Sequence, residues 1–175
     1  MTRTNRLRRV GILCCHCLRN LAFRNAGWRK GAFLLTEQFW INANGNFLDI
    51  AVLEWCKLFA DTHGKHFWSK VVTQKQDFNR GLLKTLDATQ ADFEAYVQEV
   101  KTYRDKFIAH LDDDEIMQIP LLGFMRKSVS YLYDYILANE DDGNVFSDAP
   151  TNSGNHYSKY FKEGKAAYEE LKQQA

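Results

Sequence analysis

The sequence has little proline and no long uninterrupted run of apolar residues. Only two of its 175 residues are Pro, so few positions break a helix. No stretch approaches the roughly 20 consecutive apolar residues of a membrane-spanning helix, and we expect no membrane partner. The chain also lacks an internal repeat, a Gly-rich phosphate loop, a G-x-S-x-G elbow and a Glu-x-x-His pair. These absences argue against solenoid, P-loop, α/β-hydrolase and di-iron proteins.

Acidic residues are absent from residues 1–36, and the first one is Glu37. The same segment carries eight basic residues: Arg3, Arg6, Arg8, Arg9, Arg19, Arg24, Arg29 and Lys30. A basic segment of this kind attracts polyanions such as RNA. A solvated helix face whose Arg stems cover apolar surface would have the same composition. The segment therefore leaves open whether these arginines bind a partner or only solubilise a helix.

Cysteine is scarce outside one cluster. Three of the four cysteines fall within residues 14–17 and the fourth is Cys56, a spacing that predicts no disulfide framework. Reduced thiols indicate a cytoplasmic protein. Zinc is disfavoured because no second Cys pair exists, and four consecutive helical side chains point in different directions. The basic start lacks a small-residue cleavage site, although an Arg-rich, acid-free start also resembles a mitochondrial transit peptide.

Apolar residues recur at helical spacing through most of the chain, which predicts an all-α fold. The predicted helices cover residues 7–24, 34–60, 76–86, 93–110, a segment opening at Pro120, and 157–171. Thr89 and Asp92 resemble a capping box, and no β-strand alternation persists. We expect an up-and-down bundle of four to five helices over residues 1–145. The loop and C-terminal helix of residues 146–175 should pack on the same domain.

The segment Tyr103–Asp112, with the sequence YRDKFIAHLD, places Arg104 at the flank of an apolar stripe and His110 on it. In an α-helix, six residues would hold these two side chains about 120° apart. This segment resembles the signature of the HEPN superfamily, which consists of helical bundles with R-x(4–6)-H motifs. Here the gap is five residues and Asp105 directly follows the Arg. The sequence of this segment is most similar to HEPN proteins of abortive-infection and related defence systems. Phe47–Asp61 shows a looser similarity to the same superfamily.

The resemblance implies a metal-independent ribonuclease without cofactors, in which the motifs of two protomers meet across a homodimer interface. His110 would transfer protons, Arg104 would bind the scissile phosphate and Asp105 would orient one of them. Lys106, Arg19 and Arg24 are the candidates for nonspecific RNA contacts. Such proteins commonly act as toxins, with an antitoxin protein as a partner.

Three alternatives remain open from the sequence. The chain could be a HEPN-like module that binds nucleotides, RNA or a protein without cleaving. It could be an unrelated helical protein in which Arg104 and His110 are structural. It could also be a metalloenzyme that uses His63, His66, His110 and the acids at Asp112–Asp114.

Overall fold

The computed structural model describes residues 1–109 and 118–174. Within these ranges the chain forms six α-helices, which confirms the all-α prediction: α1 (Arg3–Ala26), α2 (Gln38–Phe59), α3 (Lys75–Leu86), α4 (Gln90–Tyr103), α5 (Leu122–Asn139) and α6 (Ser153–Gln174). A 3₁₀ turn covers Trp68–Lys70, and α4 continues as a π-helical segment, Arg104–Ala109. None of the described helices has the combination of length and apolarity that crossing a membrane requires.

Local capping explains where several helices begin and end. Thr89 and Asp92 form the predicted capping box, in which the Thr89 hydroxyl accepts from the Asp92 N–H and the Asp92 carboxylate accepts from the Thr89 N–H. Helix α1 ends at Ala26 with Gly27 as its C-cap, where the sequence indicates an end signal. The prediction for Pro120 was wrong, because α5 begins at Leu122 with Leu121 as its N-cap. Pro120 lies before the helix and not in its first turn.

Helix α2 runs through residues 42–46 without a break, as predicted, although it begins at Gln38 and not at residue 34. Gly45 is tolerated because its position has no neighbouring atom within 4 Å, so its cost of about 1 kcal/mol is only the entropic one. The adjacent Asn44 is buried and faces α1 and α6. Asn42 and Asn46 are exposed, so Asn44 alone of these three asparagines packs against other helices.

A short β-hairpin that the sequence pattern did not predict connects α1 to α2. Its strands, β1 (Trp28–Arg29) and β2 (Ala32–Phe33), pair antiparallel. Both turn residues have positive φ, 52° at Lys30 and 82° at Gly31, as a two-residue type I′ turn requires. Two-residue strands are too short to show the alternation on which strand prediction depends.

The core is centred on Trp55 of α2, which is fully buried. Its indole N–H donates to the Ser128 hydroxyl of α5 at 2.9 Å. Its ring stacks on Phe59 at 5.2 Å between centroids and meets Tyr96 of α4 edge-on at 5.3 Å. These contacts fix α4 across α2, and they place the end of α4 near the end of α2.

The first and last described helices pack side by side. Gly164 of α6 permits the close approach, because a Cβ there would lie 2.9 Å from the ring of Phe23 in α1. The start of α1 is also held to the end of α5, where the buried Glu140 carboxylate accepts hydrogen bonds from Arg3 and from Thr73. Helix α1 is thus the central element of the bundle.

Candidate functional site

The first residue after α4 is Arg104, and two carboxylates bind its guanidinium. Its Nε donates to Asp105 Oδ1 and its Nη1 donates to Asp61 Oδ1, both at 2.8 Å. Asp105 is the next residue in the chain, whereas Asp61 follows the end of α2. The Arg104 side chain is 20% exposed. The two carboxylates therefore fix the orientation of a guanidinium that still reaches the surface.

The electrostatics of this cluster favour a permanent positive charge on Arg104. The hydrogen bond to Asp105, followed by the contacts with Asp61, raises the pKa of Arg104 further above its ordinary value, although burial opposes the shift. Two carboxylates nevertheless outnumber one guanidinium here. A phosphodiester that approached a single cluster would have to displace a carboxylate or find additional positive charge.

Cys56 lies behind Arg104, fully buried in α2. Burial raises the pKa of its thiol to about 12, even though Arg104 acts in the opposite direction. A thiol with this pKa is protonated at neutral pH, and the thiolate is the reactive form. Cys56 is therefore part of the packing under the cluster and not a nucleophile of it.

The motif segment is π-helical from Arg104 to Ala109. Single π-turns occur often at functional sites, because the i→i+5 hydrogen bonds change the direction of the side chains that follow. The α-helical geometry assumed for this segment is therefore wrong for Arg104–Ala109. His110 and Asp112–Asp114 lie outside the described residues. Tyr103 is buried, its ring is 5.5 Å from that of Phe107, and burial raises its pKa to about 12.

The three residues expected to contact RNA lie in different environments. Lys106 belongs to the π-helical segment and is partly exposed. Arg19 is also partly exposed, with its guanidinium carbon 5.6 Å from the centroid of the Tyr160 ring. Arg24 is only 4% exposed. The structure brings neither Arg19 nor Arg24 into the Arg104 cluster.

Arg24 is bound in the interior between α1, α2 and the hairpin. Its Nη1 donates to the side-chain oxygen of Asn44, and its guanidinium lies 4.3 Å from the centroid of Trp28 and 5.4 Å from that of Phe33. Asn44 in turn donates to the Arg24 carbonyl at 3.1 Å and to the Tyr168 hydroxyl at 3.2 Å. These contacts occupy the side chain that we expected to meet RNA, so in this structure Arg24 does not present its charge to solvent.

The thiols of residues 14–17 do not converge. Cys14 and Cys17 are fully buried, Cys15 is half-buried, and Cys17 donates to the Ala51 carbonyl at 3.4 Å. Burial raises the pKa of all three thiols. Among residues 1–109 and 118–174, no group of three or more His, Cys, Asp or Glu side chains is arranged to hold a metal ion. The metal alternative also invoked His110 and Asp112–Asp114, which fall outside that part of the chain.

His156 of α6 is a buried titratable group that the sequence pattern did not single out. Its Nε2 lies 2.9 Å from the Cys15 carbonyl oxygen, and the ring is 9% exposed. Burial lowers its pKa below the ordinary 6.5, and the positive charges of Arg19 and Lys159 lower it further, against the contact with Cys15. The folded protein thus favours the neutral imidazole.

This shift predicts that acidification destabilises the fold. Between the lowered folded-state pKa and about 6.5, the unfolded chain binds a proton at residue 156 that the folded chain excludes. The contribution of His156 to stability is therefore complete above pH 6.5 and is lost as the pH falls. Urea unfolding followed by circular dichroism from pH 7.5 to pH 5 should show this decline. His156→Gln keeps a hydrogen-bond donor towards the Cys15 carbonyl but cannot titrate, so the stability of this variant should decline less on acidification. A decline as large as that of the unaltered protein would show that His156 is not the group responsible.

Comparisons with protein-family models, curated proteins and solved structures find no match for this chain.

Proposed function

We propose that this chain is a metal-independent endoribonuclease of the HEPN type that acts as a homodimer. The observation that carries the proposal is the arrangement of Arg104. The guanidinium lies at the end of a helix in an all-α bundle, reaches the surface, and is oriented through Nε by the residue that directly follows it. This contact is the one that an orienting role for Asp105 requires. It supports the resemblance of the segment Tyr103–Asp112 to the R-x(4–6)-H signature.

The chemistry follows from the residue types. The 2′-oxygen of RNA attacks the adjacent phosphorus, and a P–O2′ bond forms while the P–O5′ bond breaks. The His110 of one copy accepts the 2′-hydroxyl proton, and the His110 of the second copy donates a proton to the leaving 5′-oxygen. Arg104 donates to the non-bridging phosphate oxygens as negative charge develops on them. The products are a 2′,3′-cyclic phosphate and a 5′-hydroxyl.

The need for a separate base and a separate acid supports a site built from two copies. One copy offers a phosphate a single guanidinium that two carboxylates already hold. A second copy would contribute the second imidazole and a second Arg104. Because it would also bring its own Asp61 and Asp105, further positive charge must come from other residues. Since RNA is a polyanion, additional cations such as Lys106 and Arg19 would strengthen its binding. The resemblance further suggests a cytoplasmic toxin of the abortive-infection kind, which an antitoxin protein would restrain.

The same ion pairs favour one second candidate, a HEPN-like module that binds RNA or a protein without cleaving it. If Asp61 and Asp105 retain the guanidinium in the complex, then Arg104 only joins the end of α4 to the end of α2. In that case the motif would stabilise the bundle or a dimer interface, and the protein would bind its partner elsewhere.

Incubation of the purified protein with a single-stranded RNA oligonucleotide in EDTA separates the two candidates. We expect cleavage in the absence of divalent metal, with 2′,3′-cyclic phosphate ends detected by mass spectrometry, because RNA supplies its own nucleophile. The matched control is the same sequence in 2′-deoxy form, which should remain intact since it has no 2′-hydroxyl. Activity that does not co-elute with the protein, or RNA retained without cleavage, would contradict the nuclease; the latter result favours the binding module.

A further inference from the structure

A cleft of about 630 Å³ lies between α1, α6 and the segment of residues 146–151. Its lining includes three cationic side chains, one carboxylate and two imidazoles: Arg8, Arg19, Lys159, Asp148, His16 and His156. The wall also includes the ring of Tyr160. The cleft therefore combines positive charge with an aromatic surface.

Among the described residues of the lining, Asp148 is the one carboxylate, and it is already neutralised. Asp148 accepts from Arg8 through both oxygens, at 2.9 and 2.7 Å, and the contact lowers the pKa of Asp148. Arg19 and Lys159 instead approach the ring of Tyr160, at 5.6 and 5.3 Å from its centroid, and neither pairs with a carboxylate of the described residues. Two cations thus flank one aromatic ring without a compensating negative charge.

A second depression of about 1050 Å³ adjoins the cleft and shares Arg8, Ile12 and His16 with it. This depression adds Arg9 and Lys65, whereas its one carboxylate, Glu54, pairs with Lys57 at 3.1 Å. The shared surface follows α1, and along the helix axis Arg8 and Arg19 are about 16 Å apart. A surface of this length can meet more than one phosphate, which suits a polymer better than a single nucleotide.

We propose that this surface, the α1–α6 groove, binds the backbone of the single-stranded RNA that the nuclease cleaves. The inference rests on the proposed function, which makes RNA the substrate. Single strands bind to proteins through positively charged grooves that carry aromatic rings, because phosphates pair with the cations and bases stack on the rings. The groove has both components, because Arg19 and Lys159 lie 5.6 and 5.3 Å from the centre of the Tyr160 ring. An acidic protein segment would use the cations but would gain nothing from stacking.

The salt dependence of binding tests the groove. Fluorescence anisotropy with a labelled single-stranded RNA should be measured on the full chain carrying His110→Ala, so that no RNA is cut. Adding Arg19→Gln and Lys159→Gln should raise Kd at least tenfold. The slope of log Kd against log salt concentration should fall by about 1.4, since each phosphate contact with a single strand contributes about 0.7. Lys172→Gln, at an exposed lysine near the other end of α6, is the matched control and should change neither quantity.

The aromatic part of the groove has its own variant. Tyr160→Leu keeps an apolar side chain but removes the stacking surface, so Kd should rise by about fivefold or more with the salt slope unchanged. Circular dichroism of each variant verifies the fold. If the Arg19 and Lys159 variant binds RNA as tightly as its parent, the groove is excluded even when the unaltered protein cleaves RNA. If the groove variants behave as expected but the unaltered protein does not cleave, the nuclease proposal fails and the groove stands.

Discussion

Replacing His110 or Arg104 with alanine is expected to lower the kcat of RNA cleavage by about a hundredfold to a thousandfold each. General acid–base catalysis and the loss of a donor to a developing oxyanion each have effects of this size. The measurement is cleavage under single-turnover conditions in EDTA, with every variant purified identically so that contaminating ribonuclease is detected. Because Arg104 forms two partly exposed ion pairs, its loss should lower the melting temperature only slightly.

Two further substitutions at this cluster distinguish catalysis from structure. Arg104→Lys keeps the positive charge but lacks the planar guanidinium that donates from two nitrogens. We expect it to be little more active than Arg104→Ala. Asp105→Ala should lower kcat with little change in KM, and Asp105→Asn should rescue much of the loss because an amide oxygen can still accept from Arg104 Nε. If His110→Ala or Arg104→Ala unfolds the protein while Arg104→Lys stays fully folded and active, the motif is structural and the nuclease proposal is wrong.

Arg24→Ala is expected to lower the free energy of unfolding by about 3 kcal/mol and to leave RNA affinity unchanged. The loss combines a desolvated cation–π contact, about 2 kcal/mol, with the burial of an unsatisfied Asn44 oxygen, about 1–3 kcal/mol, less any relaxation of the site. Urea unfolding followed by circular dichroism measures the first quantity, and anisotropy with labelled RNA measures the second. Arg24→Met, which keeps most of the buried volume, serves where the alanine variant does not fold.

The matched control is Arg19→Ala, five residues earlier on the same helix. Arg19 is partly exposed, so its removal should cost about 0.5 kcal/mol or less in stability but should weaken RNA binding. Opposite results at the two positions, with RNA affinity lost at Arg24 and stability lost at Arg19, would show that the interior position of Arg24 does not hold in solution.

Periodicity predicted the fold well wherever a helix buries a regular stripe. The apolar residues of α1 and α3 and the capping box of α4 gave element type and approximate bounds. The hairpin at Lys30 and Gly31 escaped detection because its strands are two residues long. Pro120 was misplaced because proline fits a helix start and also the turn before it.

The candidate site was only partly predictable, because some residues that contact Arg104 lie far from it in the sequence. Asp105 is adjacent to Arg104, so a local motif could assign it. Asp61 contacts Arg104 across 43 positions, and nothing in the sequence pairs the end of α2 with the end of α4. The burial of Arg24, by contrast, could have been predicted from its position in the sequence. Arg24 lies three residues after Leu21 and seven after Cys17, on the apolar stripe of α1, whereas Arg19 lies off that stripe.

The side-by-side packing of α1 and α6 has a consequence for protein synthesis. Helix α1 leaves the ribosome well before α6, which packs along one side of it and begins only at Ser153. At elongation rates of 5–20 residues per second, that interval lasts roughly ten seconds. During this interval, the apolar face of α1 that later packs on α6 is exposed to chaperones. The groove that α1 shares with α6 does not yet exist. A nascent chain would thus be unable to engage RNA through that groove until α6 had been synthesised and had packed on α1.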